Sequence, residues 1–275
     1  MKPITLPEGI NYVAAFLTLR CDLNCDYCLN RQGDFVIPNE MSAEDWIRGL
    51  SRVQTRSDLP ITLQGGEPTM HLGFCEIANT LHYKYIKPLD LLTNGMFDLR
   101  NFAISKDVFK RNAKYASIRF SFHTKTNSIA LAMKVCEMQI RGYEVGIWGL
   151  SNNPLNKYMK DLCKGLNIDF REKEYLSKDC GTYKYPEAIS GDSNGAVLCK
   201  TSELIVGPSG HIFKCHADMY ANRDSIGHIL DEDIPDFTFR ECKNYGHCNP
   251  CDIKLKTNRL QEYGYCAVEI KKENI

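Results

Sequence analysis

Cys21, Cys25 and Cys28 stand in a C-x3-C-x2-C spacing near the start of the chain. With 13 cysteines in 275 residues, a triplet at these offsets arises by chance only about 0.03 times. Three thiolates can grip a tetrahedral metal, or three corners of an iron–sulfur cluster, and leave one position without a protein ligand. An open position is a catalytic design, whereas a closed four-ligand site is a structural one. Three structural cysteines, or part of a zinc knot, are the plainer alternatives. A second group follows far downstream: Cys199, Cys215, Cys242, Cys248, Cys251 and Cys266. Cys248-Asn249-Pro250-Cys251 is a C-x2-C knuckle, and such a pair closes a four-thiolate site when a second pair joins it. Thiolate softness alone leaves zinc and iron–sulfur both open there.

The elements that must position these thiols alternate. Apolar or β-branched runs predict strands at Tyr12–Leu19, Ile61–Gln64, Leu89–Thr93, Ser117–Phe122, Glu144–Leu150 and Ile168–Glu172. Helical patterns lie between them at Ala43–Val53, Leu72–His82, Asn101–Asn112, Ser128–Arg141 and Pro154–Lys164. Ser42 caps the first of these, with Asp45 three residues on. Alternating strands and helices imply βαβ units on a parallel sheet, and about six such units make an incomplete barrel. The fold class is therefore α/β, a partial (β/α)6 barrel over residues 1–176. A connecting segment at 177–198, rich in Ser, Gly, Asp and Tyr, leads to a small cysteine-rich domain at 199–275. That domain opens with a hairpin signal, Glu203–Val206 and Ile212–Cys215 around Gly207-Pro208-Ser209-Gly210.

In parallel α/β barrels the chemistry sits at the C-terminal ends of the strands, and there the sequence is polar. Cys21 follows the first strand, and Gln64-Gly65-Gly66-Glu67-Pro68 ends the second. Thr93-Asn94-Gly95 ends the third and Ser121-Phe122-His123 the fourth. Glycines admit a close backbone approach, and Glu67 offers a carboxylate to a ligand ammonium.

This combination, with Tyr27 before the last cysteine of the triplet, resembles the radical SAM superfamily. The resemblance implies a 4Fe–4S cluster on Cys21, Cys25 and Cys28, whose open iron binds S-adenosylmethionine (SAM). It implies Glu67 as the SAM ammonium partner, with Gly65 and Gly66 giving backbone access. Asn94, Ser121 and His123 fall where that family places ribose and carboxylate contacts, and Trp148 and Arg171 where adenine or the carboxylate lies. Tyr27 presents its backbone near adenine. The downstream cysteines resemble the SPASM/twitch extension in its shorter form. That likeness implies a second, auxiliary 4Fe–4S cluster on Cys199, Cys215, Cys248 and Cys251, with Cys242 a rival for one place and Cys266 a buried free thiol. Cys180, after the sixth strand, is a candidate hydrogen-atom donor to a product radical. Cys75, Cys136 and Cys163 read as buried packing thiols on helices.

The implied activity is reductive cleavage of SAM to a 5′-deoxyadenosyl radical, which takes hydrogen from a peptide side chain or small metabolite. The auxiliary cluster would assist electron transfer, and an external donor such as flavodoxin or ferredoxin would feed the first cluster. An activating enzyme for a partner protein, an epimerase and a non-catalytic zinc or Fe–S module are the alternatives. With the first strand near residue 12, no separate leader-peptide-binding domain is expected ahead of the barrel. Composition sets the outer limits. Lys+Arg and Asp+Glu both number 34, for a net charge of +0, which gives no support for nucleic acid or a membrane as partner. No run of about 18 apolar residues is present. The opening MKPITLPEGI has no apolar h-region, so a cytoplasmic protein is expected.

Overall fold

The computed structural model describes residues 2–31, 36–175, 197–248, 251–253, 255–256 and 265–272. Six strands form the parallel core: β1 (Tyr12–Thr18), β2 (Ile61–Gly65), β3 (Leu89–Thr93), β4 (Ile118–Phe122), β5 (Val145–Leu150) and β6 (Asp169–Lys173). They lie side by side in chain order. The sheet order is open, as expected for a partial barrel.

Four helices pack on one face: α1 (Ala43–Ser51), α2 (Phe74–Tyr83), α3 (Ser128–Ile140) and α4 (Asn156–Gly165). Ser42 caps α1 as expected, its hydroxyl accepting the Asp45 N–H at 3.1 Å. The predicted helix over Asn101–Asn112 does not form. Two short 3-10 turns, Leu99–Asn101 and Lys106–Phe109, take its place. Asp98 and Ser105 cap them, accepting from the Arg100 and Asp107 N–H groups. Two competing side-chain caps seven residues apart break the run before an α-helix can propagate.

The period of two along the strands sorts side chains onto two faces. Val13, Ala15 and Leu17 of β1 join Leu63, Phe120 and Ile147 in the main core under the helices. Tyr12, Ala14 and Phe16 face the other way, into the lumen, against Ile205, Phe213 and Met219. Those last residues belong to the C-terminal half. Past β7 (Val197–Thr201), the strand β8 (Glu203–Val206) pairs parallel with β1. β9 (His211–Phe213) returns antiparallel to β8 and completes the predicted hairpin. β10 (Gly227–His228) forms the far edge, giving a nine-stranded sheet ordered β10-β9-β8-β1-β2-β3-β4-β5-β6. A separate antiparallel sheet places β7 between β11 (Arg240–Cys242) and β12 (Val268–Lys272). Among the described residues, no helix is long and apolar enough to cross a membrane.

Candidate functional site

The loop after β1 carries Cys21, Cys25 and Cys28, and its backbone is laced to the loop after β2. The Gly66 N–H donates to Thr18 O and the Glu67 N–H to Arg20 O, both at 2.8 Å. Asn30 Nδ2 donates to Gly65 O at 2.9 Å. A Cβ on Gly65 would lie 2.0 Å from Thr18 O, and one on Gly66 would lie 2.2 Å from Arg20 O. What demands glycine at both positions is therefore the approach of the cysteine loop itself, and Gly65 also takes a φ of 154°.

Glu67 is fully buried. One of its oxygens accepts from the Thr69 N–H (3.2 Å), the Thr69 hydroxyl (2.6 Å) and the Thr93 hydroxyl (2.8 Å). The other accepts from the Asn94 N–H at 2.7 Å. The carboxylate thus ties the end of β2 to the end of β3. Asn94, held in this way, turns its Nδ2 to Asp22 Oδ1 at 2.6 Å and to Cys21 Sγ at 3.6 Å. The Leu23 N–H also points at Cys21 Sγ, at 3.4 Å. Cys21, Cys25 and Cys28 are free of disulfides. Burial pushes the thiols of Cys21 and Cys25 up, so as free groups they stay protonated and a bound cation is what makes them thiolates.

All three thiols line one cavity of about 850 Å³ that runs down into the barrel lumen. Ser121, Trp148 and Arg171 stand side by side on neighbouring strands of its wall. Trp148 lies flat along its strand because Gly146 has no Cβ, which would sit 2.6 Å from the indole. Arg171 stacks on that ring at 5.5 Å, but its guanidinium is bound to Asp169 and to Lys114 O. It is directed toward the N-terminal ends of the strands, away from the cysteines. One layer higher, His123 Nδ1 meets the Tyr27 hydroxyl at 3.1 Å. The Thr124 N–H donates to that same hydroxyl oxygen at 3.2 Å, and the Cys25 thiol is a further partner of the hydroxyl. Burial, with help from the Lys173 charge, pulls His123 down to about 4. The imidazole is therefore neutral. The Tyr27 side chain is thus part of the cavity wall.

Several wall residues escape the sequence reading. Asn30 is one. Lys173 is another, although the strand period places it on the same face as Arg171. On the opposite wall α5 (His216–Tyr220) brings His216 to Asp252, Nδ1 to Oδ2 at 2.9 Å, with Glu203 Oε2 at 3.6 Å. These come from a helix, a strand and a turn distant from one another in sequence, and nothing in the local pattern marks them.

The second thiol group lies beyond that wall. Cys199 on β7, Cys215 at the start of α5, Cys242 on β11 and Cys251 pack around Val197, Tyr245 and Ile253. Cys248 faces the cavity and so opens the second group to the space shared with the first. A sulfur hydrogen bond with Cys242, together with burial, raises Cys199, and burial pushes Cys248 up to about 12. Among the described residues no three His, Cys, Asp or Glu side chains are already closed around one ion position, yet the donor set is soft, gathered and undisulfided, which suits zinc or iron–sulfur ligation alike. Cys75, Cys136 and Cys266 are half-buried, not buried as expected, whereas Cys163 is buried; the Cys266 Sγ lies 2.9 Å from Ile253 O. Cys180 lies outside the described residues.

Residues 16–136 match the model of the radical SAM superfamily. The chain is 26% identical over 196 residues to molybdenum cofactor biosynthesis protein 1 of Mus musculus, covering 66% of this chain and 30% of that protein. It is 22% identical over 214 residues to GTP 3′,8-cyclase of Lactiplantibacillus plantarum, covering 72% and 64%. Over 76 residues it is 38% identical to the PqqA peptide cyclase of Methylobacterium nodulans, covering 28% and 20%. The chain thus spans less than a third of the length of the mouse relative. In fold it is similar to Streptococcus suis SuiB bound to precursor peptide SuiA, with a TM-score of 0.55 at 15% identity over 84% of this chain and 63% of that one. It is similar also to anSMEcpe with bound AdoMet, with a TM-score of 0.55 at 15% identity over 82% and 75%.

Proposed function

This chain belongs to the radical SAM superfamily of enzymes, and we propose that it abstracts a hydrogen atom from a peptide side chain or small metabolite bound in the lumen between its two thiol groups. Cys21, Cys25 and Cys28 would hold the SAM-binding 4Fe–4S cluster. When SAM and this cluster are bound, one electron cleaves the sulfonium to methionine and the 5′-deoxyadenosyl radical that takes the hydrogen. Cys199, Cys215, Cys248 and Cys251 would hold an auxiliary 4Fe–4S cluster, with Cys242 able to stand in for one of them. That cluster would take up or relay an electron, and an external flavodoxin- or ferredoxin-type donor would supply the first.

The chain's own residues support this in specific ways. The Leu23 N–H and Asn94 Nδ2 aim positive dipoles at Cys21 Sγ, which favours its thiolate. Asn30 and the Gly66 and Glu67 amides hold the cysteine loop against the second strand's end. Neutral His123 holds the Tyr27 hydroxyl and so fixes the wall of the SAM chamber. Phe16, Trp148 and Tyr220 give the lumen apolar walls, which would limit quenching of a radical formed there.

The observation that carries the reading is that Cys21, Cys25, Cys28 and Cys248 line one and the same cavity, so a single bound substrate sits between both thiol groups. Anaerobic reconstitution should give about eight irons per chain, since each thiol group is sized for one four-iron cluster. With dithionite and SAM, the product should include 5′-deoxyadenosine. Zinc in place of iron, or no 5′-deoxyadenosine from a fully loaded sample, overturns the proposal.

A further inference from the structure

Lys173 is the last residue of β6 and lines the lumen beside Leu150. Its charge is felt by His123 above it, and the charge of Arg119 is felt by Lys173 from below. Neither is a counter-ion. His123 is neutral, and Arg119 is a cation already paired with Asp90 at 3.1 Å. Asp90 is shared with Arg111 and with the Tyr115 hydroxyl at 3.0 Å, so this carboxylate is fully used at the lumen floor. Among the described residues no hydrogen-bond acceptor or carboxylate lies within bonding distance of Lys173 Nζ. Burial and the repulsion from Arg119 pull its pKa down to about 8. Lys173 is half-buried, and an ammonium that faces the lumen without a counter-charge from its own chain is partly desolvated with nothing to offset that cost. Two residues earlier, Arg171 has every means of pairing with its own chain and does so.

We propose that Lys173 is the counter-charge for an anionic group of the substrate, a carboxylate or a phosphate, seated in the lumen below the SAM chamber. The proposal rests on the reading of this cavity as the substrate chamber and adds to it the chemical class of what enters. A compact ammonium on a flexible stem suits either oxyanion without demanding bidentate geometry. On the facing wall, Glu203 and Asp252 flank His216. Those carboxylates repel an anion, which leaves the Lys173 side as the place for that end of the substrate.

The test is lysine labelling of the anaerobically reconstituted holoenzyme by formaldehyde and cyanoborohydride at pH 8, read by mass spectrometry at Lys173, with exposed Lys160 as internal control. Samples contain no addition, SAM alone, SAM with succinate, or SAM with pyrophosphate. Labelling of Lys173 is expected to slow at least tenfold on adding one of the two anions to the SAM complex, with Lys160 unchanged. Slowing by succinate assigns a carboxylate, and slowing by pyrophosphate a phosphate. In a Lys173→Met variant the dissociation constant of the protecting anion, measured by equilibrium dialysis, should rise at least tenfold. Protection by SAM alone, which would make the SAM carboxylate the counter-charge, overturns the proposal. So does failure of both anions to protect. Formation of 5′-deoxyadenosine, measured in the same preparation, reports separately on the radical reaction, so loss of one reading is distinguishable from loss of the other.

Discussion

Glu67 is the residue where side-chain type and burial pull apart. Its position after Gly65-Gly66 makes it a candidate for a ligand ammonium, but both oxygens are already occupied by four donors of its own chain. Hydrogen bonds to a charged group contribute about 1.5–3 kcal/mol each, and a stranded buried donor costs about 1–3. Glu67→Ala is therefore expected to destabilise the metal-free protein by about 2–4 kcal/mol in urea denaturation. A side chain whose whole role is to hold SAM would leave metal-free stability unchanged. His123 gives a second test at this scale. Its pKa falls from 6.5 to about 4, through burial first and Lys173 second. Between those values the unfolded chain binds more protons than the folded one, so stability falls as the pH drops from 6.5 to 4. In His123→Phe that part of the acid sensitivity should vanish. An unchanged pH profile of the urea midpoint would show that His123 is not held neutral. The thiols and the strand-end polar residues were readable because their chemistry depends on type and spacing. Lys173, Asn30 and the His216–Asp252 pair were not, because their meaning depends on which charges face them across the lumen.

Elements were legible where one period ran uninterrupted. β3 keeps the bounds Leu89–Thr93 that its apolar run predicts, and α3 differs from its pattern by one residue. The stretch after β3 failed because Phe102, Ile104, Val108 and Phe109 are all buried and so imitate helix content, while Asp98 and Ser105 cut the backbone into two turns. The junction between the first two loops is the most constrained feature at this scale. Gly66→Ala would press a methyl against the Arg20 and Leu19 carbonyl oxygens, at 2.2 and 2.6 Å. Neither is a side-chain tip that can swing away, so the cysteine loop must move. Iron retained after reconstitution is expected to fall by about half, to the content of the second thiol group alone, with far-UV circular dichroism unchanged. Full iron content would mean that the loops tolerate the shift. Arg52 makes a comparable tie at longer range, donating from the end of α1 to Lys2 O, Ile229 O, Asp231 O and Glu232 O. Arg52→Ala should cost about 2–4 kcal/mol and speed amide exchange around β10.

For the whole molecule, composition divides the chain near residue 198, but hydrogen bonding does not. The cysteine-rich half supplies β8, which pairs with the entire first half of β1, Glu203 with Tyr12 through Val206 with Ala15. It also supplies Ile205, Phe213 and Met219, which cover the lumen face of Tyr12, Ala14 and Phe16. A break in composition marks where the metal-ligating chemistry changes. It carries no information about which strand completes a sheet, because pairing partners distant in sequence leave no local pattern. A chain ending at residue 198 would therefore expose β1 as a long apolar edge with unpaired amide and carbonyl groups, the arrangement that templates aggregation. Such a fragment is expected to elute from size-exclusion chromatography as aggregate and to lose its cooperative urea transition, even with Cys21, Cys25 and Cys28 intact. A monomeric fragment with a sharp transition would mean that the parallel core is self-sufficient, and that β8 and β9 dock onto an edge already stable without them.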